Sequence, residues 1–379
     1  MAIEYQHARF IILILYLAGL SKPLKILVAP LNWGLGHATR CIPVIRALLL
    51  KNVEVILGGS GISGQLLRNQ FPHLPYEEIP GYQVTYSKKL PMAVAMLGQA
   101  PGILQAIQQE KKWLDEKLKK ESIDIVISDH RYGLYHKNTY SVFMAHQLFI
   151  SSGSKRILEP LLWKVNKAYI ENFNHCWIPD VPGEPNAAGK LAHQSPLPFP
   201  HHFIGWLSQL APMPKTTRIY QASFILSGLE PLRTEFENIL IEQFHQLPPG
   251  KYALVRGTDA PLERHVPDFV DLFHLAHTTQ IEKLVQTSEI LVSRAGYSSI
   301  MDYLLAGAQA LLIPTPGQTE QEYLAQYHKD SGNFYSTPQT NLQLAKALSQ
   351  AHEYRPQPPL LPQPHLLENA VQALLNYNN

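Results

Sequence analysis

Short β-branched runs alternate with helical patterns along this chain, and the alternation starts again after a proline-rich break. In the first half, 25–29 (KILVA), 53–57 (VEVIL), 76–79, 123–127 (IDIVI), 140–144 and 176–178 read as strands, with helices over 38–51, 103–120 and 157–173. Such a chain folds into parallel α/β layers, because each strand needs a crossover before the next can pair parallel to it. Residues 179–214 are Pro-rich and irregular and read as an interdomain connection. Beyond them strands fit 222–226, 252–255, 270–275, 290–293 and 310–313, and helices fit 234–246, 280–287, 298–306, 320–327 and 342–350. A second Pro run, 356–364, leads to an amphipathic helix with Leu367, Val371, Leu374 and Leu375 on one face. The plan is α/β: two Rossmann-like domains with a cleft between them and a C-terminal helix. Its parts are an apolar extension (1–22), a first domain (23–208, the connection starting at about 179), a second domain (209–355) and a tail helix (356–379).

With 45% hydrophobic residues the chain can bury sizeable cores, which excludes a disordered or fibrous protein. Lys and Arg number 32 against 30 Asp and Glu, and a net charge of +2 argues against a nucleic-acid binder. Two cysteines, Cys41 and Cys176, make neither a disulfide framework nor a zinc spacing, which suits a reducing cytoplasm. No D-x-D or His/carboxylate cluster suggests a metal, so neither metal nor cofactor is expected. Phe10 to Leu20 is an apolar run of eleven, short of the roughly 20 residues that span a bilayer. An interfacial anchor, an extension from an upstream start codon and a buried extra element all fit it. The lysines at 111, 112, 117, 119 and 120 read as a solvated helix face. Beside the apolar 92–97 segment they would alternatively give peripheral contact with the inner face of the membrane.

Two loops carry candidate chemistry. The first strand runs into Asn32, Trp33, Gly34, Leu35, Gly36 and His37, and on through Arg40 into a helix. Gly34 and Gly36 permit a tight turn and let a ligand approach the helix N-terminus, whose free N–H groups favour anions. A dinucleotide fingerprint is one reading, but Thr39 replaces its third glycine and Gly58-Gly59-Ser60 replaces its ribose-binding acid. A purely structural turn is another. His37, at a strand's C-terminal end, is placed as a general base. Asp129 is the second choice for that role. With His130 and Arg131 it follows another strand and lines the first domain's side of the cleft, where acceptor contact and plain loop hydrogen bonding both fit. The same two readings fit His146 and Gln147.

The second loop follows strand 289–293 as Arg294, Ala295, Gly296, Tyr297, Ser298 and Ser299, then a helix carrying Asp302. A strand, a small-residue turn with hydroxyls and a helix N-terminus form a phosphate-binding arrangement. Gly296 allows close approach, Ser298 and Ser299 donate to oxygens, and Asp302 is near enough to accept from ribose hydroxyls, though helix electrostatics would also account for it. The next strand ends in Pro314, Thr315, Pro316, Gly317, Gln318, Thr319, Glu320 and Gln321. Glu320 and Gln321 could read sugar hydroxyls or cap an ordinary turn. Ser227 and Gly228 are expected to face the cleft, with Arg256 as a charge partner for phosphate.

These features resemble glycosyltransferases of the two-domain GT-B fold, in particular family 28, which holds the lipid-II-forming N-acetylglucosaminyltransferase and the plant monogalactosyldiacylglycerol synthases. The likeness rests on G-x-G-H (Gly34, Gly36, His37), on S-R-x-G with a downstream acid (Ser293, Arg294, Gly296, Asp302) and on P-x-P-G-x-x-E-Q (Pro314, Pro316, Gly317, Glu320, Gln321). It is strong over 285–327, moderate at 25–40 and weak between. The resemblance implies a UDP-sugar in the second domain and an acceptor in the first. It assigns Asp302 to the ribose, Ser298 and Ser299 to phosphate, Glu320 and Gln321 to the donor sugar, and backbone near His277 and Thr278 to uracil. The residues themselves predict that the whole turn Arg294–Asp302, Tyr297 included, binds the nucleotide diphosphate.

The leading expectation is an inverting, metal-independent glycosyltransferase, with a nucleotide-sugar donor and a hydroxyl acceptor of glycan or glycolipid-precursor type. Two alternatives stand beside it: a nucleotide-sugar epimerase or hydrolase on the same fold, and a non-catalytic nucleotide-sugar binding protein.

Overall fold

The computed structural model describes residues 22–82, 92–152, 156–194, 196–210, 216–354 and 363–377. The apolar run 10–20 lies outside them. The first domain contributes β1 (Leu24–Pro30), β2 (Val53–Gly59), β3 (Tyr76–Glu78), β4 (Ile125–Asp129), β5 (Tyr140–Met144), β6 (His175–Ile178) and β7 (His201–Phe203). They form one parallel sheet in the order β3-β2-β1-β4-β5-β6-β7. The second domain contributes β8 (Tyr220–Ile225), β9 (Tyr252–Val255), β10 (Val270–Phe273), β11 (Ser288–Ser293), β12 (Ala310–Leu312) and β13 (Tyr335–Ser336), ordered β10-β9-β8-β11-β12-β13 and again parallel. Ile26, Leu27, Val28 and Ala29 on β1 are all fully buried. An unbroken apolar run is what a strand covered on both faces requires.

Helices fill the crossovers. They are α1 (Leu35–Leu49), α2 (Gly61–Gln70), α3 (Met92–Lys120), α4 (Glu159–Ile170), α5 (Leu232–Gln243), α6 (Thr278–Thr287), α7 (Tyr297–Ala306), α8 (Thr319–Asp330), α9 (Leu344–Glu353) and α10 (Pro364–Leu375). Among the described residues no helix is long and apolar enough to cross a membrane. The tail helix α10 crosses back to the first domain. It packs on α1 and β7 with Ala370, Val371 and Leu374 buried, and the Tyr377 ring beyond it lies tilted against Tyr140, centroids 4.4 Å apart.

The described residues within 179–210 are more than a connection, which corrects the sequence reading. Asp180, fully buried, accepts from the backbone N–H groups of Val181, Ala187 and Ala188 and from the Trp206 indole. That carboxylate folds the segment back on itself, and β7 then completes the sheet edge beside β6. Three residues with two histidines (His201, His202) carry too little hydrophobic periodicity to announce a strand.

In each sheet the strand order reverses beside the first strand, between β1 and β4 and between β8 and β11. Pro30 lies opposite Asp129 at one switch point and Ile225 opposite Ser293 at the other. Open α/β sheets bind ligands at such points, outside the carboxyl ends of the strands. Both loops singled out in the sequence leave from these two places.

Candidate active site

The two switch-point loops touch. Gly34 adopts φ 87°, a conformation that suits glycine, and its carbonyl accepts from Ser63 Oγ at 2.8 Å. Gly36 faces the opposite domain: a Cβ there would lie 3.0 Å from Ser298 Oγ. The Ser298 hydroxyl instead donates to the Gly36 carbonyl at 2.9 Å. Ser298, expected on phosphate, therefore joins the N-termini of α1 and α7.

One turn into α1 lies Arg40, 2% exposed, on the same helix face as His37. Its guanidinium grips the fully buried Asp129 with two bonds, Nε to Oδ2 at 2.9 Å and Nη2 to Oδ1 at 2.5 Å. His37 Nδ1 lies 3.0 Å from Asp129 Oδ2, which leaves Nε2 on the opposite edge of a ring that is 15% exposed. His130 Nδ1 is 3.1 Å from Asp129 Oδ1, and His146 Nδ1 is 3.0 Å from Arg40 Nη1. Across the cleft, His146 Nε2 meets Glu320 Oε1 at 2.8 Å.

Charge in this cluster follows from Arg40. Burial tends to lift the Asp129 carboxyl, but Arg40, with His37 and His130, outweighs it and holds the group well below the usual carboxylate range. A carboxylate held so low is a poor proton acceptor, so Asp129 is suited to orienting a base rather than being one. Burial first, then the Arg40 charge, keep His37 below its ordinary 6.5, and the same two causes dominate in bringing His130 down to about 3 against the pull of Asp129. Burial would raise Glu320, but His146, with His130 and Arg40 beyond, brings it down to about 2.

His37, Asp129 and His130 also bring possible metal-ligand atoms within 4.8 Å of one another, a cluster that spacing in the sequence did not reveal. Arg40 Nη2 lies 2.6 Å from His37 Nδ1, 2.5 Å from Asp129 Oδ1 and 2.9 Å from His130 Nδ1. A guanidinium already occupies the point where a cation would be ligated, and it would repel one. The residues do not fit a metal.

Three arginines expected at the ligand face inward instead. Arg131, fully buried, donates to the carbonyls of Pro30 and Pro80 and to Glu110, so it pins loops rather than an acceptor. Arg256 pairs through Nε with Glu237 Oε1 at 2.5 Å and gives Nη1 to the Ala260 carbonyl, both partners in its own domain. Arg294 spreads over the Phe236 ring at 4.0 Å and donates to the carbonyls of Leu232, Ile313 and Pro314. Neither is a free charge for phosphate. Arg256→Ala should leave Glu237 buried with only Arg233 as partner, costing about 3–5 kcal/mol of stability. Denaturant unfolding would show that loss.

What remains open on the donor side is backbone and small residues. Ser227 and Gly228 are exposed, and a Cβ at Gly228 or Gly296 would meet nothing within 4 Å. Gly317, at φ 77°, is exposed too, its N–H held by Glu322. Ser299 is half-buried on the first turn of α7, beside Ser298. Tyr297 is buried, its ring stacked 4.1 Å from His146 and its hydroxyl given to the Pro179 carbonyl, so it seals the domain contact rather than facing a donor. Asp302 accepts from Ser208 Oγ in the segment between the sheets, and burial lifts its carboxyl to about 7 although that hydroxyl opposes the rise. His277 is exposed just ahead of α6, its N–H on Gln280, while Thr278 Oγ1 donates to Gln209 at 3.3 Å. Gln321 Oε1 accepts the Thr315 N–H at 2.9 Å, a turn-capping role. Glu320 is committed to His146 rather than free at the sheet edge.

Sequence reasoning missed Arg40. The local sign, an arginine three residues after His37 on an otherwise apolar helix face, marks a polar contact without pointing to its distant partner.

The profile of the glycosyltransferase family 28 C-terminal domain matches residues 257–362. A protein of Methanosarcina acetivorans described as an uncharacterized glycosyltransferase is 23% identical, the match covering 83% of this chain and 87% of that protein. MurG of Acinetobacter baumannii superposes with a TM-score of 0.52 at 13% identity, over 93% of this chain and 99% of that one. The spinosyn rhamnosyltransferase SpnG complexed with thymidine diphosphate gives 0.58 at 14% identity, over 87% and 90%. These likenesses agree with the two-sheet architecture of the GT-B fold.

Proposed function

We propose that this chain, whose residues 257–362 match the glycosyltransferase family 28 C-terminal domain and whose two sheets share the GT-B architecture, is a glycosyltransferase that moves a sugar from a UDP-linked donor to an acceptor hydroxyl, with inversion and without a metal. The observation that carries this reading is the His37 Nδ1–Asp129 Oδ2 contact at 3.0 Å, at the first domain's switch point and one residue after Gly36, whose carbonyl accepts from Ser298 at the start of α7. With its Nδ1 proton given to Asp129, His37 presents a bare Nε2. That nitrogen takes the acceptor's hydroxyl proton as the oxygen attacks the anomeric carbon. The bond from that carbon to the diphosphate breaks, and the nucleotide diphosphate leaves with the electron pair. Asp129 stabilises the imidazolium that results, as an orienting carboxylate does in a catalytic triad.

Charge on the leaving phosphate falls to backbone, since Arg256 and Arg294 are engaged elsewhere. The N-terminus of α7 supplies N–H groups and a dipole there, which are fixed in place before the reaction. Arg40 supports the metal-free scheme, because its guanidinium takes the position a cation would need. Turnover of a UDP-sugar should therefore persist in EDTA. Loss of activity in EDTA with recovery on adding magnesium would sink the scheme. Calorimetry with UDP and with TDP decides the nucleotide: UDP is expected to bind more tightly, and a preference for TDP would reassign the donor.

A further inference from the structure

Arg40 has donors only and Glu320, as a carboxylate, accepts only. His146 lies between them, Nδ1 3.0 Å from Arg40 Nη1 and Nε2 2.8 Å from Glu320 Oε1. Its tautomer is thereby fixed: Nδ1 must accept, so Nε2 carries the proton and gives it to Glu320. The same reasoning runs on through Arg40. Nε and one Nη2 proton take the two oxygens of Asp129. The second Nη2 proton has two claimants, His130 Nδ1 at 2.9 Å and His37 Nδ1 at 2.6 Å. If it goes to His130, His37 keeps its own Nδ1 proton for Asp129 and Nε2 is bare. If it goes to His37, the ring must carry its proton on Nε2, and the base is lost.

The geometry points to Glu320 and His146 as positioning residues for the His37 base, acting through Arg40. Glu320 belongs to the second domain, on the first turn of α8, whereas His146, Arg40, Asp129 and His37 all belong to the first. The chain of contacts places the useful tautomer of His37 under control of the opposite domain. It forms only while the sheet edge that carries Glu320 is seated against His146, whose ring Tyr297 of the same domain also covers at 4.1 Å. Glu320 then couples closure of the cleft to readiness of the base, a task distinct from touching the donor sugar. This inference rests on His37 being the base.

The groups facing His37 are Arg40 on α1, Asp129 at the end of β4, His130 after it and His146 after β5, with Glu320 on α8 beyond. Two measurements on the full chain test the assignment. Long-range proton–nitrogen NMR of the imidazoles should show His146 protonated on Nε2 and His37 on Nδ1 in the wild type. Glu320→Ala should take the anchor from His146 Nε2, so that the ring no longer holds Arg40 Nη1 in place and His37 takes a mixed tautomer. Glu320→Gln should restore the wild-type state because the amide oxygen still accepts. UDP release from UDP-glucose, UDP-galactose and UDP-N-acetylglucosamine then reads the consequence. His146→Ala and Glu320→Ala should each lower kcat by roughly tenfold to a hundredfold, the scale of a misplaced catalytic group. The double variant should be no worse than His146→Ala, since residues in one chain are not additive. The inference is overturned if Glu320→Ala leaves the His37 tautomer unchanged, if the two losses multiply, or if Glu320→Ala moves only the donor KM. His37→Ala separates this from the reading beneath it. If that variant keeps wild-type turnover, the base reading falls and the positioning role with it; if turnover collapses while the two losses multiply, the positioning role alone fails.

Discussion

His37→Ala should lower turnover by about a hundredfold to ten-thousandfold, the usual contribution of a placed general base, with UDP affinity near the wild-type value. The affinity should survive because His37 sits on the first domain, whereas the open backbone of Gly228, Gly296 and Gly317 belongs to the second. The pH profile carries the same signature. A protonated His37 cannot take a proton, so activity falls as pH drops through its pKa. Burial and Arg40 hold that pKa below 6.5, and the acid limb of kcat/KM should have its midpoint below pH 6.5. Asp129→Asn is a harsher change. It strips the charge that balances buried Arg40, and breaking such a pair costs about 3–5 kcal/mol of stability besides the tautomer it unsettles. A thermal melt would record that loss, and His37→Ala should show far less of it.

Gly296→Val is the second large effect. Gly296 caps α7 at φ −77° and ψ 138°, extended values that valine adopts readily, and a Cβ there meets nothing within 4 Å. The fold gives no reason to require glycine at this position. The free space in front of α7 does, because a diphosphate seated on those N–H groups would meet the branched side chain. Overpacking of that kind costs about 1–3 kcal/mol, which is a loss of UDP affinity of about fivefold to 150-fold. Calorimetry with UDP reads it directly, and the melting temperature should move little. UDP affinity equal to wild type would place the diphosphate away from α7.

The strands and the two loops at the switch points were legible because their signals are local: apolar runs, glycines, hydroxyls and helix starts within a few residues. The reach of arginine was not. Arg256 and Arg294 stand at strand ends where a phosphate partner is plausible, yet the first is claimed by Glu237 on α5 and the second by Phe236 and three carbonyls. Arg40 had the opposite fate. Its partner Asp129 lies 89 residues away in the chain, so nothing near Arg40 in the sequence announces a buried ion pair. Glu320 stands out in the sequence as a polar residue at a sheet edge with sugar hydroxyls as its expected partners, but its partner here, His146, belongs to the other domain and only the closed cleft brings them together. Strand β7 escaped for a related reason: it pairs because β6 offers an edge, not because His201, His202 and Phe203 favour a strand.

At the centre of the account is a single displacement driven from the first domain's side of the cleft. Proton NMR of the first product formed from an α-linked UDP-sugar, recorded before a free sugar can equilibrate, reads its stereochemistry. A base at His37 that activates the acceptor for direct attack predicts the β-configured product. An α-configured first product would contradict it, because retention needs a second displacement or a same-face attack, which the His37–Asp129 geometry does not provide.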